Sequence, residues 1–267
     1  MCPMRTGSAI LFLSVLLTLF STEMFARTPP ASTATANHAA SVPLPASYAA
    51  LLEHSSQAIL VTTPDWNSVD GSLQRYEKRN GQWLPVGDKL PIVVGEHGIG
   101  WDGTLSAYAP ASAPVKKEGD GRSPAGIFPL GQTFGFASTA SELKMPYLSL
   151  TDSIECVDDT HSQSYNQVVD RQQLAHPDWN SSEKMRTIAV YKVGLVVNYN
   201  HQHTPGAGSC IFMHIWHGPG RGTAGCTAMD ESKLQELLSW LDASQYPVLI
   251  QLPQAMYEEL KTTWKLP

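Results

Sequence analysis

Charge is scarce in this chain and unevenly used. Only 16% of its 267 residues are charged, the formal net charge is −6, and lysine and arginine form no block. An acidic chain without a basic stripe lacks the electrostatic footprint of a nucleic-acid binder, and it lacks a polybasic patch for a membrane surface. There is no HExxH and no paired CxxC, so the usual zinc signatures are missing. No repeat recurs at a fixed period, which removes solenoids and propellers. The run Ala9 to Phe20 (AILFLSVLLTLF) is apolar but spans twelve residues, short of the about 20 that a membrane-crossing helix needs. Gly95 to Gly100 (GEHGIG) has no helix signal behind it and is not a dinucleotide loop.

What is present at the amino terminus has the form of a secretory signal. Arg5 precedes the apolar run, and Met24-Phe25-Ala26 offers a small residue for cleavage. Met24 is large for its place, so a retained anchor is the alternative. Residues 1–26 are read as the signal peptide, with no transmembrane span once it is removed, and export places the chain in the periplasm or cell envelope. Residues 27–46 (RTPPASTATANHAASVPLPA) have little to bury and read as a Pro/Ala/Thr-rich linker. Residues 47–267 fit one domain.

Within that domain the β-branched and aromatic runs 57–63, 73–79, 90–94, 187–198, 209–215 and 246–252 predict strands. Asp230 to Leu241 predicts a helix, with an acidic first turn and Leu234, Leu237, Leu238 and Leu241 on one face. Gln254 to Trp264 predicts a second. The expected class is mainly β, a mixed sandwich or barrel with a few short helices, one of them directly after Cys226.

Cysteine is the other scarce residue, with four in the chain. Cys2 is lost with a cleaved signal, leaving Cys156, Cys210 and Cys226, an odd number for an oxidising compartment. Spacing does not say which stays free, but local chemistry ranks them. Cys156 lies in an acidic stretch, SIECVDD, that disfavours a thiolate. Cys226 follows a Gly-containing loop and precedes a helix signal, a setting expected to lower its pKa. The expected disulfide is therefore Cys156–Cys210, with Cys226 free. His214 ends an apolar strand twelve positions earlier, and Gly218, Pro219, Gly220 and Gly222 let the intervening loop fold back. A base beside an activated thiol is the unit of cysteine nucleophilic catalysis.

Phe212-Met213-His214 followed by Thr223-Ala224-Gly225-Cys226-Thr227-Ala228-Met229 resembles the paired catalytic motif of the YkuD-type L,D-transpeptidases, in a GCTAM form. Upstream, Ser123-Pro124-Ala125-Gly126-Ile127-Phe128 is similar to that family's T-P-x-G-x-F segment. The resemblance runs from about Gln57 to Leu252. It implies a cysteine acyltransferase that acts on peptidoglycan stem peptides through a thioester and needs no cofactor or metal. The second partner would be an amine on another stem or on an envelope protein; with water instead, the outcome is an L,D-carboxypeptidase or endopeptidase.

By the same resemblance Cys226 is the nucleophile and His214 the base, while Gly225 and Thr227 supply oxyanion or orienting groups. Where many members carry S-H-G-C-(I/V)-R, this chain has Ala224 and Ala228. Arg122 and Arg221 then become the candidates for a substrate carboxylate, with Trp216 and Thr223 beside them in substrate binding. The polar stretch 158–185 is expected to cover the cleft, with Tyr165, Asn166 and Trp179 available to ligand. Two rival readings remain: zinc gathered by His201, His203, His214, His217 and Cys226, and a cell-wall binding domain without chemistry.

Overall fold

In a computed structural model of the chain, residues 43–267 are described; the expected signal segment and most of the expected linker lie outside them. The end of that linker is docked: the Pro43 carbonyl accepts a hydrogen bond from Tyr108 Oη at 2.8 Å. Helix α1 (Ala46–His54) follows at once and buries Leu52. Its short apolar content, ASYAALLEH, gave it no periodic signal.

The domain is mainly β. Its strands are β1 (Gln57–Thr63), β2 (Asp70–Arg79), β3 (Gln82–Val93), β4 (Ile99–Trp101), β5 (Ser123–Gly135), β6 (Tyr147–Ser149), β7 (Ile154–Val157), β8 (Val168–Asp170), β9 (Ser182–Lys184), β10 (Val193–Val197), β11 (Phe212–Ile215), β12 (Thr227–Met229) and β13 (Val248–Pro253). Helices α2 (Glu231–Trp240) and α3 (Gln254–Leu260) complete the set. All seven residues of β1 are buried. That is why QAILVTT reads as an unbroken run: the strand has neighbours on both edges, β13 parallel and β2 antiparallel, and is covered on both faces.

The hairpin from β2 to β3 turns at Asn80-Gly81, both with positive φ (52° and 77°), which suits the right-handed twist of paired strands. β3 meets β12 at a single residue pair, Ala228 with Val93. Its first half is therefore an exposed edge that tolerates Pro85 and charge, and this broken alternation hides it from a pattern search.

The main sheet runs β10-β11-β12-β3-β2-β1-β13-β5-β4, and β10 also pairs with β5. One long strand makes that circuit possible. β5 pairs with β13 through Gly126–Pro129 and with β10 through Leu130–Gly135. Its Pro124, Gly126, Pro129 and Gly131 break any strand pattern, which explains why only the motif within it was legible. The large apolar core fills the space between this circuit and helices α2 and α3, with Ile59, Leu73, Trp101, Ile127, Leu234 and Leu249 all essentially inaccessible. Trp101 is core, packed edge-on to Trp66 at 5.5 Å.

Two predicted elements differ. The expected strand 187–198 is shortened to β10, preceded by single 3₁₀ turns at Met185–Thr187 and Ala189–Tyr191 that direct Met185 and Tyr191 into a second core cluster. The polar stretch 158–185 carries β8 and β9, which pair on either side of β7 as a separate three-stranded sheet. This sheet is stapled to the segment before β11 by a Cys156–Cys210 disulfide. The expected pairing is thus present, and Cys226 is the free cysteine among the described residues.

The disulfide closes a loop of 54 residues, for which chain entropy alone gives about 4 kcal/mol. Replacing Cys156 and Cys210 together by alanine is expected to lower the unfolding free energy by about that amount, measured as the midpoint and slope of urea unfolding. A loss below about 1 kcal/mol would mean that the small sheet holds its place without the link.

Candidate active site

Three segments far apart in sequence converge on Cys226. The loop 216–226 turns the chain back so that β12 lies parallel to β11, with Met213 opposite Thr227 and His214 opposite Ala228. From β5, Ser123 Oγ donates to the Cys226 carbonyl at 2.8 Å while accepting from Gly95 N at 2.9 Å. Thr223 Oγ1 donates to the same carbonyl at 2.6 Å and accepts from Gly225 N at 3.1 Å. Gly225 suits a close approach: a Cβ there would lie 3.1 Å from the Arg122 carbonyl, so a larger residue needs that carbonyl to give by a few tenths of an ångström. The next side chain, Thr227, donates to Gln251 Oε1 at 2.7 Å, and Gln251 Nε2 donates to the Pro124 carbonyl at 2.8 Å. These buried bonds tie β12, β13 and β5 into one rigid frame around the cysteine.

The thiol itself faces the second core cluster, among Phe134, Cys156, Cys210, Tyr191 and Phe212. It is 6% exposed. Phe212 N donates to Sγ at 3.3 Å, Sγ donates to the Cys210 carbonyl at 3.5 Å, and the nearby Tyr191 hydroxyl favours the thiolate. Burial pushes the thiol up to about 12, and the nearby Glu183 carboxylate adds to the rise. The expectation of a lowered pKa is therefore corrected. Strand β12 intervenes before α2, and the first free N–H groups of that helix are taken by Asp230 Oδ1, from Ser232 N at 2.9 Å and Lys233 N at 3.3 Å. Desolvation outweighs what remains of the helix field.

His214 is also 6% exposed. Its Nδ1 lies 2.7 Å from the Ile215 carbonyl. A carbonyl only accepts, so the proton sits on Nδ1 and Nε2 keeps its lone pair. Burial lowers this imidazole to about 4, against the Ile215 bond and with a smaller push from His217. His214 is neutral at physiological pH, and Ile215 rather than Gly225 orients it. The hydrogen bonds of the thiol do not run to His214. Tyr191 borders His214: its ring meets His214 edge-on at 5.3 Å and Phe212 at 5.4 Å.

The remaining expected site residues are distributed differently. Arg122 is committed to Trp66 O at 2.9 Å, Ile99 O at 3.1 Å and Asn67 Oδ1 at 2.9 Å. Arg221 is exposed on the loop, and Trp216 is half-buried with its backbone N–H donated to Met229 O at 2.9 Å. Tyr165 and Trp179 are buried, with hydroxyl and indole donated to Glu118 at 2.5 Å and Glu155 at 2.8 Å. Asn166 is bonded to Tyr199 O, Asn200 O and Cys210 N. These three hold the 158–185 stretch in place and are not free for ligand in this conformation. A cleft of about 550 Å3 is lined by the disulfide, Asn166, Tyr199, His201, His203 and Phe212, and by neither Cys226 nor His214. Among the described residues no group of three or more His, Cys, Asp and Glu is gathered closely enough to hold a metal ion.

Sequence reasoning missed Tyr191 and Glu183. Tyr191 Oη donates to Glu183 Oε2 at 2.7 Å, and burial raises that carboxyl to about 7. Neither residue sits in a motif; only the topology brings them to the thiol. Comparison of the chain with protein-family models, with curated proteins and with solved structures finds no match in any of the three.

The two buried groups make opposite contributions to stability with pH. His214 is lowered from 6.5 to about 4, so its contribution is present above pH 6.5 and lost as pH falls toward 4, on the order of 3 kcal/mol. Glu183 is raised from 4.5 to about 7, so its contribution is present below pH 4.5 and lost as pH rises through 7. Between pH 4.5 and 6.5 the two slopes oppose each other. Relative to wild type, His214→Gln is expected to gain stability as pH falls from 7 to 5, and Glu183→Gln to lose it, both read from denaturant midpoints. Parallel curves for all three proteins would show that neither group titrates as described.

Proposed function

We propose that the chain is a cysteine-dependent acyltransferase of the L,D-transpeptidase type, acting on peptidoglycan stem peptides. The observation that carries this reading is the meeting of the three motif segments at one residue: Ser123 and Thr223 grip the Cys226 carbonyl, and the amide of Phe212 reaches its sulfur. A frame of this kind, joining residues more than 100 positions apart, holds a nucleophile in fixed orientation, which is what acyl transfer demands.

In this reading the Cys226 thiolate attacks the carbonyl of the amide between the third-position diamino acid and the terminal D-alanine. D-alanine leaves and a thioester remains. His214, neutral with a free Nε2, is the base that takes a proton from the attacking nucleophile. The Gly225 N–H is engaged by Thr223, so the oxyanion falls to the backbone N–H groups of Cys226 and Thr227, or Gly225 exchanges partners as substrate enters. Because the thiol is buried and neutral, a local opening precedes chemistry. An envelope location follows from the same reading, since the substrate lies outside the cytoplasm.

The test is intact mass after incubation with muropeptides or a carbapenem, for wild type, Cys226→Ala and His214→Ala, with the soluble products resolved. Expected are an acyl adduct on wild type that is absent from Cys226→Ala, and turnover lowered at least about a hundredfold in His214→Ala. Cross-linked product identifies an amine acceptor, and shortened stems identify water. Turnover that survives Cys226→Ala would end the thioester reading.

A further inference from the structure

The cleft beside the disulfide has no part in the reading above, yet it borders the thiol's surroundings. It holds about 550 Å3 between Cys156 and Val168 of the small sheet and Gln132, Val196 and Phe212 of the main one, a size within the range of small-ligand sites. Phe212, whose N–H donates to Cys226 Sγ, and Cys210, whose carbonyl accepts from it, both line the cleft. The segment 210–212 is therefore common to both.

The lining is polar but uncharged. No lysine, arginine, aspartate or glutamate contributes to it. Among the described residues, the side chains of Gln132, Asn198, His201 and His203 have no hydrogen-bond partner, so the cleft offers two amides and two imidazoles unspent. An amide both donates and accepts, which is what hydroxyl and acetamido groups require of a partner. Pro146, Val168 and Val196 supply apolar surface beside them. A charged ligand would give up its hydration here with no countercharge to replace it. An uncharged one with hydroxyls on its rim and an apolar face loses little.

The loop that carries the two histidines is held in shape without a ligand. Asn200 Nδ2 donates to the carbonyls of Thr204 and Gly208, both at 3.0 Å, and Asn200 Oδ1 accepts from Thr204 N at 3.0 Å. Asn166 Nδ2 donates to the carbonyls of Tyr199 and Asn200 at 2.9 and 3.0 Å. Asn200 and His203 sit in the left-handed region, with φ of 49° and 54°, which side chains seldom adopt. Asn198 lies close over Gly131, where a Cβ would come within 2.8 Å of its Oδ1. Groups fixed in this way pay little ordering entropy when a ligand arrives.

We propose that this cleft is a binding subsite for an uncharged, acetamido-bearing sugar, and that the sugar is the glycan to which the stem peptide is attached. The second clause rests on the acyl-transfer reading; the first stands on the cleft alone.

The test is calorimetric titration of full-chain protein with a β-linked N-acetylglucosamine tetramer, and with its deacetylated, cationic form as the charged counterpart. Expected are saturable binding of the acetylated tetramer, none of the cationic one, and affinity lowered at least about tenfold in Asn198→Ala/His201→Ala. Both side chains are exposed; should this variant fail to fold, Gln132→Ala/His203→Ala takes its place. Absence of binding at about 10 mM acetylated tetramer overturns the proposal. So does equal affinity in the variant, equal affinity for the cationic tetramer, or displacement of the sugar by a free stem tetrapeptide, which would make the cleft a peptide site. Turnover is measured separately, as kcat/KM for a disaccharide-linked stem relative to the free stem. That ratio is expected to exceed one in wild type and to fall to about one in the variant. Sugar binding without turnover defeats the acyl-transfer reading and not the subsite, and turnover with equal kcat/KM for both substrates and no sugar binding does the reverse.

Discussion

The double pairing of β5 is the constraint on which the rest depends. Its first half is held by β13 and its second half by β10, and that single bent strand closes the sheet into a circuit. Closure leaves few free edges and places Ser123, at the start of β5, under the carbonyl of Cys226. Without it the β11–β12 pair would be joined to the rest of the sheet through one residue pair with β3. The hydroxyl grips of Ser123 and Thr223 and the Gln251 bridge then convert a three-residue strand into a fixed support.

Burial is the common physical cause behind the chemistry of the site. It raises Cys226, lowers His214 and raises Glu183, which in each case favours the neutral form. A thiol and an imidazole in water near neutral pH share a proton readily; in this cluster neither is charged, and the resting site is a set of uncharged groups around one carboxyl. Such a site is protected from adventitious oxidation, because the thiolate is the reactive species.

The small sheet supplies more than cover. Its strand β9 carries Glu183, β7 carries Cys156 opposite it, and the disulfide fixes that pair against the segment leading into β11. Tyr165 and Asn166, whose polarity suggested ligand contact, spend their hydrogen bonds on holding this sheet to the main body, and Trp179 spends its own on Glu155 of β7 within the sheet. Long polar stretches read alike whether they bind a ligand or anchor a cap, because composition records hydrogen-bonding capacity and not its destination.

Much of the frame was legible in the sequence. The buried run of β1 and the capped helix α2 with its leucine face follow from local composition, whereas the free Cys226 and the Cys156–Cys210 pairing match the expectation although the thiol pKa used to rank the cysteines is raised and not lowered. The meeting of FMH, TAGC and SPAGIF is consistent with their order along the chain. What sequence did not reveal was β5 with its prolines, the exposed half of β3, helix α1, and the partners of the thiol. Secondary structure and cysteine ranking depend on neighbours a few residues away, which a sequence displays directly. Ionisation depends on which atoms exclude water and which charges lie within a few ångströms, and Tyr191 and Glu183 reach Cys226 from 35 and 43 positions away. The sequence by itself determined the chemical types of Cys226 and His214 and the elements that carry them, and the tertiary structure alone decided their protonation, because desolvation is a property of the packed interior.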